Sequence, residues 1–155
     1  MAVAMLMFAL PAANAQKVNT SSEVAKLEKA DAAVLDAKKG LKAATWIARG
    51  NAYTNAFIAP TKELGRGVPE QMLMMNVGRP EGAIQAEFMG APAIVYQYEY
   101  VDVYVVNGMI EGWNQKKAIK DNVAEIAIES FAKAYELDPK QASKIQANQS
   151  VLSFS

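Results

Sequence analysis

Side chains that commonly do chemistry are scarce in this chain of 155 residues, which contains neither Cys nor His. Their absence removes the thiol nucleophile, the imidazole base, the usual zinc ligands and any disulfide framework. Four groups remain. Asp121, Glu125 and Glu129 form a carboxylate row at helical spacing. Acid–base work on a glycosidic bond needs two carboxylates across a cleft, so a row on one helix face reads as a solvated stripe. Gly65-Arg66-Gly67 looks like a phosphate loop, but no Lys-Ser or Lys-Thr follows it. Met72, Met74 and Met75 offer thioethers that suit copper(I), although methionine more often fills core gaps. No catalytic residue, metal or cofactor is assigned, and the chain reads as a non-enzyme. The fourth group is aromatic: Tyr96, Tyr98, Tyr100, Tyr104 and Trp113. The first three alternate, which places them on one face of a strand. Such a face either contacts a protein or stacks on a sugar, or it packs inward with its hydroxyls at the rim.

The elements that must carry these groups follow from pattern. Thr20 and Glu23 have capping-box spacing, so a helix is expected from about Ser21 to Lys39, stopped at Gly40. A second helix is expected from about Leu41 to Ile58, ended by Pro60. Residues 58–117 hold four of the six prolines and seven of the nine glycines. Within them, Pro69 opens a short helix with Met72 to Met75, and the pattern turns to strand from Gln85. Val and Tyr crowd Ile94 to Val106, and Asn107-Gly108 is a two-residue hairpin turn joining Val103–Val106 to Met109–Gly112. A third helix is expected from about Ala118 to Leu137, because Ile119, Val123, Ala127, Phe131 and Ala134 share one face. Asp138-Pro139 stops it, and a fourth helix begins near Lys140.

The start of the chain reads as a leader. Ala2 to Leu10 is apolar, Pro11 breaks the run, and Ala13-Asn14-Ala15 supplies an A-x-A site. No Lys or Arg precedes the run. Nine residues are too few for a membrane-spanning helix, which needs about 20. Residues 1–15 are therefore expected to be a signal peptide, with the mature chain starting at Gln16, exported to the periplasm or cell surface and not inserted in the membrane. Lys plus Arg and Asp plus Glu are both 16, so no cationic excess exists to neutralise a nucleic-acid backbone.

The second helix carries Trp46-x-x-Arg49-Gly50-x-x-Tyr53, and the third carries Ala127-x-x-x-Phe131-x-x-Ala134-x-x-Leu137-Asp138-Pro139. These segments resemble the tetratricopeptide repeat, a helix pair of about 34 residues patterned W-x-x-L-G-x-x-Y, then A-x-x-x-F, then P. Arg49 stands in place of the Leu. The resemblance implies that Gly50 admits the partner helix, that Ala127 faces it, and that Phe131 and Ala134 fill the seam to the next unit. The family leaves about eight residues between the Tyr and the Ala, whereas 73 separate Tyr53 from Ala127 here. The chain is similar to exported tetratricopeptide proteins of Gram-negative envelopes that hold an insertion, here about 65 residues long. The match covers about 30 residues strictly and about 80 with flanking helices. The implied fold is mainly α over residues 16–155: antiparallel helix pairs, a fragment of an α-α superhelix, with an insertion at about 58–117 carrying a small β-hairpin. A solenoid needs about three repeats, so a fragment of a longer repeat protein is expected.

Family members bind peptides on the first helix of each pair. Carried over, the outward positions are Ala44, Ile47, Asn51, Thr54 and Asn55. Asn51 and Asn55 would hydrogen-bond an extended peptide, while Ile47 occupies the place of the Lys in the family's carboxylate clamp. The expected function is a protein- or peptide-binding scaffold using Ile47, Asn51, Thr54, Asn55, Tyr96, Tyr98 and Tyr100, with Trp46, Gly50, Tyr53, Ala127, Phe131, Ala134 and Pro139 packing the repeat. The alternatives are a glycan-binding module built on the aromatic hairpin and a purely structural repeat.

Overall fold

The computed structural model describes residues 20–152, and the expected leader lies outside them. The chain divides into two units. A sheet unit is formed by residues 60–117, and a helical unit by the described residues up to Ala59 and from Ala118 onward.

The helical unit contains α1 (Thr20–Leu35), α2 (Ala43–Ile58), α4 (Val123–Leu137) and α5 (Ala142–Gln149), with α3 belonging to the sheet unit. Helix α1 stops at Leu35, short of the expected Lys39. The Asp36 carboxylate accepts hydrogen bonds from the backbone N–H groups of Lys38 and Lys39 at 3.0 and 2.8 Å, turning the chain into a short 3₁₀ segment over Lys39–Leu41. Such side-chain bonds compete with helix continuation. Gly40 is needed inside that turn, because a Cβ there would lie 2.3 Å from the Val34 carbonyl oxygen. The Trp46 indole N–H, 2.8 Å from the Gly40 carbonyl oxygen, ties the turn to α2.

Helices α2 and α4 meet at Gly50, where a Cβ would lie 2.5 Å from the Phe131 ring. Glycine inside a helix costs about 0.5–1 kcal/mol relative to alanine, but a methyl driven into a closely packed ring costs about 1–3 kcal/mol, so contact favours glycine. Tyr53, Ala127, Phe131 and Ala134 are buried in the same cluster, with Leu27 from α1 and Ile145 from α5, and Trp46 packs against it partly buried. Helix α4 begins only at Val123, because Asn122 takes a left-handed conformation (φ 57°) and leaves residues 118–122 outside the helix. After α4, the exposed Pro139 opens a 3₁₀ segment, Pro139–Gln141, whose Lys140 N–H bonds to the Asp138 carboxylate at 3.2 Å.

The sheet unit corrects the expected mainly α fold with a small hairpin. It contains α3 (Glu70–Asn76) and a four-stranded antiparallel meander in the order β1 (Gly82–Phe88), β2 (Ala91–Gln97), β3 (Val101–Val106), β4 (Met109–Gln115). The protein is a mixture of helix and sheet, with a second hydrophobic core that shares no residue with the helical one. Val101, Val103 and Val105 fall on one face of β3 and are buried with Ile110, Tyr98, Leu73 of α3 and Val77 just beyond it. Asn107 and Gly108 both take positive φ (50° and 77°), which closes a twist-compatible hairpin. The turn between β1 and β2 uses the same conformation at Met89 and Gly90 (φ 49° and 83°). Methionine is no turn residue, and β1 is rich in small side chains, so these strands escape a propensity argument. The β1–β2 ladder runs to Phe88↔Ala91, beyond the β2–β3 ladder, which starts at Ile94↔Val105. The overhang curls so that the Phe88 ring meets Tyr104 (centroids 5.1 Å apart) and covers Gly112, where a Cβ would lie 2.8 Å from it.

Candidate functional site

The polar residues of the helical unit form two sets with opposite properties. The first set bonds to itself. Asp31 on α1 accepts from Arg49 Nε at 2.8 Å and from the Tyr53 hydroxyl at 2.8 Å, and Lys120 Nζ lies 3.5 Å away. Lys120 also donates to the Tyr53 hydroxyl at 3.1 Å, and Arg49 Nη1 donates to Ser130 Oγ at 3.1 Å. The Ser130 hydroxyl in turn donates to the Ile126 carbonyl at 2.6 Å. Arg49, the departure from the family's Leu, thus joins α1, α2 and α4, and its guanidinium also stacks over the Tyr53 ring at 5.2 Å. Burial pulls the Asp31 carboxyl upward, but hydrogen bonds from Arg49 and Tyr53 and the charges of Arg49 and Lys120 outweigh it and hold it below the ordinary carboxylate range. Lys120 is raised, first by its hydrogen bond to Tyr53 and then, against desolvation, by nearby charge. The network is structural: the Asp31 carboxylate and the Tyr53 and Ser130 hydroxyls all meet partners within it.

The second set lines a pocket of about 280 Å³ formed by Asn51, Thr54, Asn55 and Ile58 of α2 with Asn148 of α5 and Val151 beyond it. Asn51 and Asn55 are one turn apart on α2 and face the same way. The Thr54 hydroxyl donates to the Gly50 carbonyl at 2.8 Å and is occupied as a donor. Among the described residues, no hydrogen bond engages the side-chain amides of Asn51, Asn55 or Asn148, and no charged residue lines the pocket. A carboxamide offers one acceptor and two donors, reciprocal to a peptide group. The pocket is therefore equipped to hold a neutral, amide-bearing chain, with Ile58 and Val151 as apolar walls.

The structure brings three of the residues singled out from sequence, Asn51, Thr54 and Asn55, into this pocket. Ile47 is not among them: it is buried in the helical core and presents no surface to a partner. Asn148 and Val151 were missed. Ile145 is buried, and Asn148 lies three residues on along the same side of α5, which is the helical-period signal that finds it.

The tyrosines lie in the sheet unit and do not form an exposed strip. Strand β2 ends at Gln97, so Tyr98 and Tyr100 belong to the turn that follows, and both are buried. The Tyr98 hydroxyl donates to the Gly78 carbonyl at 2.9 Å, and the Tyr96 hydroxyl donates to the Glu70 carboxylate. Burial pushes both phenols well above their ordinary range, with the Glu70 charge adding to it. With no face left on Tyr98 or Tyr100 for a sugar to stack on, the glycan alternative on these rings is withdrawn. The Lys117 ammonium lies 4.9 Å from the Tyr100 ring centroid.

Among the described residues no helix is long and apolar enough to cross a membrane, and no group of three or more acidic side chains is placed to hold a metal ion. The chain matches no protein-family model, no curated protein and no solved structure.

Proposed function

We propose that the protein is a non-catalytic scaffold that holds an extended, uncharged peptide segment of another protein in the pocket between α2 and α5, in an exported setting. The observation that carries this reading is the set of three carboxamides, Asn51, Asn55 and Asn148, around one pocket with no internal partner and no charge beside them. Asn51 and Asn148 are half-buried, where amides are ordinarily hydrogen-bonded, and Asn55 stands exposed beside them; an extended peptide supplies donors and acceptors to all three. The reading also takes α2 and α4 as a tetratricopeptide-type pair interrupted by residues 60–117, which the close approach of Gly50 to Phe131 supports.

A photo-crosslinking residue placed at Asn55 tests it, with the labelled chain incubated with envelope extract and the adducts mapped by mass spectrometry. Adducts on the main chain of a peptide segment, lost when Asn148→Ala is added, are the expected result. Adduct yield indifferent to Asn148→Ala, or turnover of a small molecule by the purified chain, contradicts the reading. Cleavage after Ala15 in the secreted fraction tests the exported setting.

A further inference from the structure

The sheet unit holds a second pocket, of about 430 Å³, lined by Glu70 at the start of α3, Gln85 and Ala86 of β1, Pro92, Ala93 and Ile94 of β2, and residues around the β3–β4 turn. Its composition differs from that of the helical pocket. The floor is apolar, and Ile94 remains 39% exposed although it points at a cavity. At one wall stands the Glu70 carboxylate, oriented by the hydroxyl of Tyr96.

Charge is unevenly satisfied around it. Residues 60–117 carry five Lys or Arg against seven Asp or Glu. Four cations pair with Glu63, Glu111, Asp102 and Glu99. Among the described residues no cation lies within ion-pair distance of Glu70 or Glu87. The register places Glu87 opposite Pro92 and Gln85 opposite Ile94. Opposed residues share a face, so the Glu87 side chain stands at the rim of the same surface. A carboxylate beside apolar surface favours a cation whose stem lies on that surface.

The adjoining edge suggests what delivers the cation. Strand β1 is the outer strand of the sheet, and no backbone hydrogen bond among the described residues engages its outer edge. The opposite edge is blunted at its start, where Gly67 N–H donates to the Ile110 carbonyl at 2.7 Å and Ile110 N–H to the Val68 carbonyl at 2.8 Å. An open edge accepts an extended chain by main-chain pairing, and the added strand projects alternate side chains over the face that carries Gln85. We propose that this pocket receives a Lys or Arg side chain from an extended segment of a partner protein paired along β1, with its charge on Glu70 and its stem on Ile94 and Pro92. This site is independent of the Asn-lined pocket, and either can fail while the other stands.

The test is an NMR titration of the full chain with a capped pentapeptide of alternating Thr and Val around a central Lys. Control titrations use the same peptide with norleucine for Lys, and butylammonium alone. The Lys peptide is expected to shift the amides of Gln85, Ile94 and Asn107, and the norleucine peptide to bind about tenfold more weakly. Glu70→Gln, which keeps an oxygen for the Tyr96 hydroxyl, is expected to weaken the Lys peptide by the same factor. Equal binding of the Lys and norleucine peptides, or no shift with either, overturns the proposal, and this comparison needs no variant. Full affinity in a folded Glu70→Gln chain also overturns it. Butylammonium binding as tightly as the Lys peptide overturns the protein segment as the occupant.

Discussion

The helical and sheet units treat polar side chains in opposite ways. In the sheet unit, the conspicuous phenols of Tyr96 and Tyr98 are turned inward and matched, one by a carboxylate and the other by the Gly78 carbonyl. In the helical unit, the network around Asp31 is likewise matched internally, yet the carboxamides of Asn51 and Asn55 on α2 and of Asn148 on α5 engage no partner among the described residues. Residue type therefore does not mark a binding surface. Aromatic rings are large enough to be drawn into a small core, whereas half-buried amides without a partner, as at Asn51 and Asn148, leave bonding capacity for something outside the chain.

Four changes would sharpen or break this contrast. The largest effect is expected from Phe131→Ala, which empties the contact beneath Gly50 and should cost about 3–5 kcal/mol by denaturant unfolding. Hydrogen exchange should place the loss in the helical core. An equal loss in the core that contains Tyr98 would mean the two clusters are one.

The Asp31 network comes next. Asp31→Asn removes a charge that Arg49, Tyr53 and Lys120 all address, and should cost about 1–2 kcal/mol at neutral pH. Because the carboxyl is depressed in the fold, its contribution is fully present above its unfolded value of about 3.9. It is lost as pH falls through the lower folded value. Lys120 is raised, so its share is present below about 10.4 and lost as pH climbs through the higher folded value. The stability curve of Asp31→Asn should be flatter on the acid side than that of the parent. An unchanged acid limb would show that the network contributes nothing.

Gly50→Ala is expected to lower stability by about 0.5–2 kcal/mol, the overpacking against Phe131 exceeding the gain in helix propensity. A stabilised variant would show that the ring yields. The smallest stability effect is expected from Asn148→Ala, within about 0.5 kcal/mol, because its amide supports nothing inside the fold. A larger loss would mean the pocket is structural.

The helical unit was the more legible in sequence, for a physical reason. A period of 3.6 puts Gly50 and Tyr53 on one face and Ala127, Phe131 and Ala134 on another, and these faces meet however long the excursion between them. Ile47 misled, because it lies at the N-terminal end of the face that carries Asn51 and Asn55, where α2 is already packed into the helical core. The sheet unit was legible at the short helix that follows Pro69, along Ile94–Val106 and at Asn107-Gly108, where helix-start, β-branched and turn chemistry are strong. Gly82–Phe88 and Ala91–Ala93 carry small residues whose strand character comes from pairing, and Met89 takes a left-handed conformation that its type does not announce. The Asn pocket was half visible: Asn51 and Asn55 stand out on one helix, but Asn148 reaches them only through the fold.

The most direct measurement follows the side-chain amide resonances of Asn51, Asn55 and Asn148 while capped, uncharged peptides are titrated into the full chain, with the backbone amide of Tyr98 as an internal control. All three should move together with one affinity, Tyr98 should stay still, and Asn148→Ala should weaken that affinity about tenfold. Asn resonances that ignore every neutral peptide, or that respond identically with Asn148 removed, would contradict the scaffold reading.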